Sequence, residues 1–237
     1  MKKILIIGAG AMGAAFSIPL LDNGNSVTLT EPYNFKLLKK LNSKKKNHPS
    51  LNINLPKKLK INKFSSDILN RNWDLIVIAV SSIGIDLIGK NLSKIKNKSP
   101  ILVLTKGLKL DGRNLISMSS LLRKYNKNLN ISVLKGPCLA KELARKVKSF
   151  TVVANKNINF AKKIGKQIST KYYLTEFSRD VIGVEVCSAI KNIYSMIIGA
   201  GQSLNASSNL FQKSILEMKY LTKYCLLYTS PSPRDDR

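Results

Sequence analysis

The chain has 237 residues, 44% of them hydrophobic, and carries 40 Lys and Arg against 13 Asp and Glu, a formal charge of +27. That is enough to bury a real core, as one large domain or two small ones. The basic excess is mostly lysine, scattered from Lys36 to Lys171 among Asn and Ile, with no aromatic stacking ladder and no zinc spacing; it argues against nucleic-acid binding as the main function and reads as a solvated surface that attracts anionic metabolites.

"MKK" opens an uncharged run, Ile4–Leu21, with the profile of a signal peptide or membrane span. Gly8, Gly10, Gly13 and Pro19 inside it disfavour a spanning helix, whereas strand–turn–helix explains each glycine. "KKILIIG" is a buried strand, Ala11–Asn23 a helix stopped by Gly24, "SVTLTE" a second strand ending at Glu31, and "FKLLKKLN" an amphipathic helix. A polar loop, "NSKKKNHPSLNINLPKK", holds the sole histidine, His48, without ligand partners, so no metal site is expected. "DLIVIAV" and "ILVLT" are strands flanking the helix "IGIDLIGKNLSKI". "NLISMSSLLRKY" follows as a helix, "ISVLKGP" as strand and turn, then "CLAKELARK", "SFTVVA" and "NFAKKIGKQIS" as helix, strand and helix.

This alternation predicts an α/β fold: a Rossmann-type, doubly wound parallel sheet. From about Asp180 only long helices are expected, over 180–200 and 205–224. The expected organisation is a dinucleotide-binding domain at 1–178, the start of a helical substrate and catalytic domain at 179–224, and a tail at 225–237. That tail, "CLLYTSPSPRDDR", has no lysine and two of the chain's arginines, and reads as foreign to the rest. Cys138, Cys187 and Cys225 share no CxxC or framework spacing, which fits a reducing, cytoplasmic setting.

"GAGAMG" places Gly8, Gly10 and Gly13 after a strand and at the opening of a helix, with Ala9, Ala11 and Met12 between and beside them. Gly8 permits a tight turn, Gly10 admits a pyrophosphate close to backbone, and Gly13 lets helix pack on strand, while the helix N-terminus presents free N–H groups to the phosphates. Glu31, at the end of the second strand, is placed to accept ribose hydroxyls and favours NAD; Lys36, Lys39 and Lys40 nearby keep NADP as the alternative. "LTKGL" puts Lys106 at the carboxyl edge of the sheet, and "KGPCLAKEL" adds a second anion cradle at Gly136 and Cys138. In "VEVCSAIKNIYSMIIGAG", Lys191 lies along or beside a buried helical stripe and is followed by Asn192. Two readings stand: a lysine snorkelling at a helix flank, or a desolvated lysine whose lowered pKa suits proton transfer.

GAGAMG, "HPSLNINLP", "TKGL", "GPCLAKEL", "GVEVCSAIKNIYS" and "NASSNLFQKSILEM" come in the order and spacing of the NAD(P)-dependent glycerol-3-phosphate dehydrogenases, and the chain resembles that family over about residues 1–223. The resemblance implies reversible reduction of dihydroxyacetone phosphate to sn-glycerol 3-phosphate for phospholipid synthesis. It implies that Gly8–Gly13 hold the dinucleotide, that Lys106 touches cofactor and substrate, and that Gly136 and Cys138 contact substrate. Ala140 would line the cofactor site, and Lys191 would be the general acid/base with Asn192 beside it. A homodimer of the full-length protein is implied on the same ground.

The sequence departs from the family pattern in "GAGQSLN" after the lysine helix and in Gln212-Lys213 before Glu217-Met218. The family's phosphate-binding Arg-Asn pair and a further catalytic Asp are expected beyond residue 223. The polypeptide is therefore expected to be an incomplete, weakly active or inactive fragment, with Ile190, Ile197 and Ile198 exposed on its unfinished helices. A ketopantoate-reductase-like enzyme and a non-catalytic dinucleotide-binding fragment are the alternatives.

Overall fold

The computed structural model describes residues 1–94, 98–112, 114–201 and 203–227. Of the tail expected at 225–237, residues 228–237 lie outside the described residues.

The first half runs β1 (Lys3–Ile7), α1 (Ala11–Asp22), β2 (Ser26–Glu31), α2 (Phe35–Leu41), β3 (Asn47–His48), β4 (Ile53–Asn54), β5 (Lys60–Lys63), α3 (Ser66–Asn70), β6 (Leu75–Ile78) and α4 (Ile85–Ser93). The second half runs β7 (Ile101–Val103), β8 (Leu108–Asp111), β9 (Asn114–Ser117), α5 (Met118–Tyr125), β10 (Ile131–Lys135), α6 (Ala140–Ala144), β11 (Ser149–Ala154), α7 (Ile158–Ile168), β12 (Tyr173–Ser178), α8 (Val181–Gly199) and α9 (Leu204–Leu227).

One sheet has the order β12-β11-β10-β7-β6-β1-β2-β5. From β5 to β10 every neighbouring pair is parallel. The order reverses beside β1, between β2 and β6, and so opens the crevice at the carboxyl ends where ligands of such sheets bind.

The double layer follows from the side-chain period of two along a strand. Ile4 and Ile6 of β1, with Val77, Leu102 and Leu134, face a core shared with α1 and α7. Leu5 and Ile7, with Ile76, Ile78, Val103 and Val133, face a second core shared with α4 and α5. Val181 is buried in that second core and Val184 packs against it, so α8 begins on the sheet rather than away from it.

At the far edge, β11 and β12 run parallel to each other but antiparallel to β10. This reversal keeps residues 136–148, with Cys138 and Ala140, at the carboxyl edge instead of sending them across a face of the sheet.

Seven elements, β3, β4, β5, α3, β8, β9 and β12, are absent from the periodicity reading. β5 has one apolar residue, Ile61, among lysines and asparagine, the character of an edge strand. The segment read as one helix over 114–125 is strand β9 followed by α5, and β9 pairs with β8 around Gly112, whose φ is +62°. The Ser117 hydroxyl accepts from the Ser120 N–H and marks the change. β12 is the other edge strand and only half-buried.

Among the described residues, α8 alone is long and apolar enough to cross a membrane by length and composition. It packs on β10 and β11 and against α9. Elsewhere its surface is bare: Ile193, Met196 and Ile197 are exposed on α8, as are Phe211, Leu216 and Tyr220 on α9. Ile190 and Ile198, expected bare, are half-buried.

Candidate functional site

The strands from β5 to β10 are parallel, so Gly8 after β1, Glu31 at the end of β2, Lys106 after β7 and Gly136 after β10 all reach the same edge. They form two corners there.

The first corner is built from backbone. Gly8 takes φ +107°, and an added Cβ would lie 2.6 Å from the Ala79 carbonyl oxygen. A Cβ on Gly13 would lie 1.9 Å from the Gly8 carbonyl oxygen, so helix and turn touch there. Gly10 is the opposite case: it is exposed and an added Cβ would meet nothing within 4 Å. That open face sits in front of the first turn of α1, where the N–H groups of Ala11, Met12 and Gly13 precede the first intrahelical bond, Ala14 N–H to Gly10 carbonyl at 3.0 Å.

Glu31 is placed differently from the expectation. It is buried, with 5% exposure. One oxygen accepts the Ala9 N–H at 2.7 Å, and the other accepts the N–H groups of Tyr33 (2.9 Å) and Asn34 (3.1 Å). The carboxylate therefore ties the glycine turn to the loop after β2, because unpaired N–H groups in a tight turn attract the nearest anion.

His48 belongs to the same corner, which the sequence did not reveal. It is 1% exposed, and its Nε2 lies 2.9 Å from the Ala9 carbonyl oxygen while Nδ1 accepts the Leu51 N–H at 3.3 Å. This pattern requires the neutral tautomer with hydrogen on Nε2. Ala9 is thus held by Glu31 at its N–H and by His48 at its carbonyl. Among the described residues no cluster of three potential metal ligands forms.

The second corner is built from lysines. Lys191 Nζ donates to the Gly136 carbonyl oxygen at 3.2 Å and is half-buried. Burial first, and then the neighbouring Lys106 ammonium, hold its pKa below the ordinary lysine value. Lys106 itself is exposed, just before Gly107, whose φ of +122° turns the chain into β8. Gly136 cannot carry a side chain, since a Cβ would lie 2.6 Å from the Phe150 carbonyl oxygen of β11. Cys138 is buried, and burial pushes its thiol up, away from thiolate chemistry. Ala140 starts α6, which packs on α1 and so lies between the two corners. Asn192 is exposed beside Lys191.

Among the described residues the most deeply buried ammonium is not Lys191 but Lys135, 5% exposed, which donates to the Thr105 carbonyl oxygen. Desolvation lowers its pKa to about 8, with Glu185 opposing the shift and Lys106 adding to it. The run "ISVLK" reads as a plain buried strand, so only its cation at an inward position hinted at this. A hollow of about 570 Å³ lined by Lys3, Ser26, Lys60 and Trp73 lies at the amino edge and shares no residue with either corner.

Residues 3–161 match the family described as NAD-dependent glycerol-3-phosphate dehydrogenase N-terminus, and residues 180–229 match its C-terminus counterpart. A glycerol-3-phosphate dehydrogenase, NAD(P)+, of Leptospira biflexa is 33% identical over 215 residues, covering 87% of this chain and 62% of the relative. An NADP(+)-dependent glycerol-3-phosphate dehydrogenase of Archaeoglobus fulgidus is 30% identical over 202 residues, covering 82% and 59%. The chain thus spans 59–62% of the length of these two curated relatives. The solved glycerol-3-phosphate dehydrogenase of Plasmodium falciparum shares the fold, with a TM-score of 0.85 at 20% identity over 98% of this chain and 68% of that one.

Proposed function

We propose a function from one premise: the chain belongs to the NAD-dependent glycerol-3-phosphate dehydrogenase family. The reading is reversible hydride transfer between a nicotinamide dinucleotide and dihydroxyacetone phosphate, giving sn-glycerol 3-phosphate for phospholipid synthesis. The observation that carries it is the half-buried Lys191 ammonium on the Gly136 carbonyl, beside Lys106, at the edge that also bears the open glycine turn.

The first corner fits a dinucleotide: Gly10 leaves room for close approach, and the first-turn N–H groups of α1 attract its phosphates. Gly8, Ala9, Ala11, Met12 and Gly13 would hold it, with Ala140 lining the side toward the second corner. Bound nicotinamide supplies the hydride. Glu31 supports the turn from behind through three backbone N–H groups, and the cofactor read for this corner is NAD, with NADP as the alternative. Lys36, Lys39 and Lys40 on the adjoining helix suit either cofactor.

At the second corner, Lys106 attracts the dianionic substrate, and Gly136, Cys138 and Asn192 line its path. Lys191 Nζ gives a proton to the carbonyl oxygen as it becomes an alkoxide, and takes one back in the reverse direction. A depressed pKa eases that transfer near neutral pH. Lysine holds phosphate as a point charge rather than as a bidentate fork, so a weak grip and slow turnover are expected of this chain. The same reading divides the chain at 178/179. It places the protein in the cytoplasm without membrane insertion, and expects the full-length protein to pair as a homodimer.

The test is NADH and NADPH oxidation by the purified chain with dihydroxyacetone phosphate or ketopantoate. Saturable oxidation with the first, abolished in Lys191→Met, is expected. Oxidation with ketopantoate alone would overturn the reading.

A further inference from the structure

Lys135 has no role in the chemistry above, yet burying an ammonium is costly. Its surroundings explain what holds it. Its Nζ donates to the Thr105 carbonyl oxygen, the last residue before Lys106. Thr105 is also fixed by its own hydroxyl, which donates to the Val80 carbonyl at 2.8 Å. The residue after Lys135 is Gly136, whose carbonyl receives Lys191.

On the other side stands Glu185 of α8, 2% exposed, whose carboxylate accepts the backbone N–H and the hydroxyl of Ser119 at the start of α5. Glu185, Ser188 and Lys191 recur at three-residue steps along α8, so one inward side of the helix is polar. Ser188 Oγ is buried there without a partner in the protein. Arg123 and Lys135 both feel the Glu185 charge. The ammonium therefore lies in a buried polar layer between α8 and the ends of β7 and β10, with Glu185 as counter-charge.

We propose that Lys135 is a positioning residue: its side chain fixes the strand end from which Lys106 departs, and its backbone leads directly into Gly136, whose carbonyl holds Lys191. One buried side chain thereby sets the spacing of the two lysines at the second corner. The inference rests on reading Lys106 and Lys191 as the working cations of the substrate site. A bare charge elsewhere in the core would not do this, because it would not bridge two adjacent strand ends.

The test is trace acetylation of wild type, Lys135→Met, Lys135→Gln and Lys135→Arg across pH, with the labelling of Lys106 and Lys191 read by peptide mass spectrometry. In the wild type Lys191 sits on the Gly136 carbonyl with its pKa lowered by burial and by Lys106, so more of it is in the reactive neutral form than for an ordinary lysine at the same pH. Without the ammonium anchor on Thr105, Lys106 is no longer held beside Lys191, so labelling of Lys191 at pH 8 falls at least about twofold in Lys135→Met. Lys135→Arg, which restores charge and donor, recovers the wild-type profile. If Lys135→Met does not fold, Lys135→Gln carries the measurement, since it keeps a donor for Thr105 without the charge. Unchanged labelling of Lys191 in a folded Met or Gln variant would overturn the proposal. So would failure of Lys135→Arg to restore it. No step needs turnover: a chain inert toward dihydroxyacetone phosphate refutes the proposed function and leaves this result readable.

Discussion

The two corners of the carboxyl edge are made of the same chain but of opposite electrostatics. At the glycine corner the buried polar groups have partners and only the first-turn N–H groups of α1 are left for a ligand: Ala9 is bonded at both ends, Glu31 accepts from three backbone N–H groups, and His48 is used at both nitrogens. At the lysine corner Lys106 stands near two other cations, and the pKa values of Lys135 and Lys191 are driven down by burial and by Lys106. The first corner recognises by shape and can be satisfied in advance. The second holds stress that substrate charge or proton transfer would relieve, as groups tuned for proton transfer usually do.

The sharpest way to separate the corners is Lys191→Met. Turnover should fall about 10²–10⁴-fold, the usual contribution of a general acid, while NADH affinity measured by fluorescence stays within about twofold. Loss of NADH binding in parallel would merge the two corners into one.

The stress at the second corner should also be visible as a pH dependence of stability. Lys135 has a folded pKa of about 8 against the ordinary 10.5, so the unfolded chain holds more protons between those values. The buried charge therefore destabilises the fold fully below pH 8, and the cost is relieved as pH rises toward 10.5, by about 3 kcal/mol. Denaturant melts of wild type and Lys135→Met should differ in slope across that window. Parallel curves would remove the charge stress from the comparison.

At the glycine corner the effects are steric. Gly13→Ala puts a Cβ against the Gly8 carbonyl, and a penalty of up to about 3 kcal/mol is expected, with NADH affinity reduced at least about tenfold. Gly10→Ala, which meets nothing, should leave the melting temperature unchanged. Smallest is His48→Ala, which leaves the Ala9 carbonyl and the Leu51 N–H without their partner, at about 1–2 kcal/mol. A neutral result there would show that the turn stands without its histidine.

Much of this was legible in advance, and unevenly. "KKILIIG" followed by GAGAMG carries its own geometry, since uninterrupted branched residues demand burial on both faces and the glycine spacing permits only a tight turn before a helix. β5 was illegible because an edge strand needs no continuous apolar run. His48 lay in a stretch whose polarity reads as a loop, and its burial depends on a carbonyl thirty-nine positions earlier. Glu31 was found at the right place but turned toward the protein, since it meets the Ala9 N–H of a turn folded back from β1 as well as two N–H groups of its own loop.

By itself the sequence determined the alternation of strands and helices, the glycine turn, the place of Lys106 after its strand and of Lys191 within its helix, and the resemblance that named the family. Those features are local: they depend on side-chain period, backbone freedom at glycine and short spacings. Only the tertiary structure decided which lysine is most deeply buried, where the Glu31 carboxylate points and that β11 turns back to keep Cys138 and Ala140 at the site. Burial and charge coupling are set by which distant segments pack together, and Thr105, Lys135 and Glu185 become neighbours only when β7, β10 and α8 close on one another.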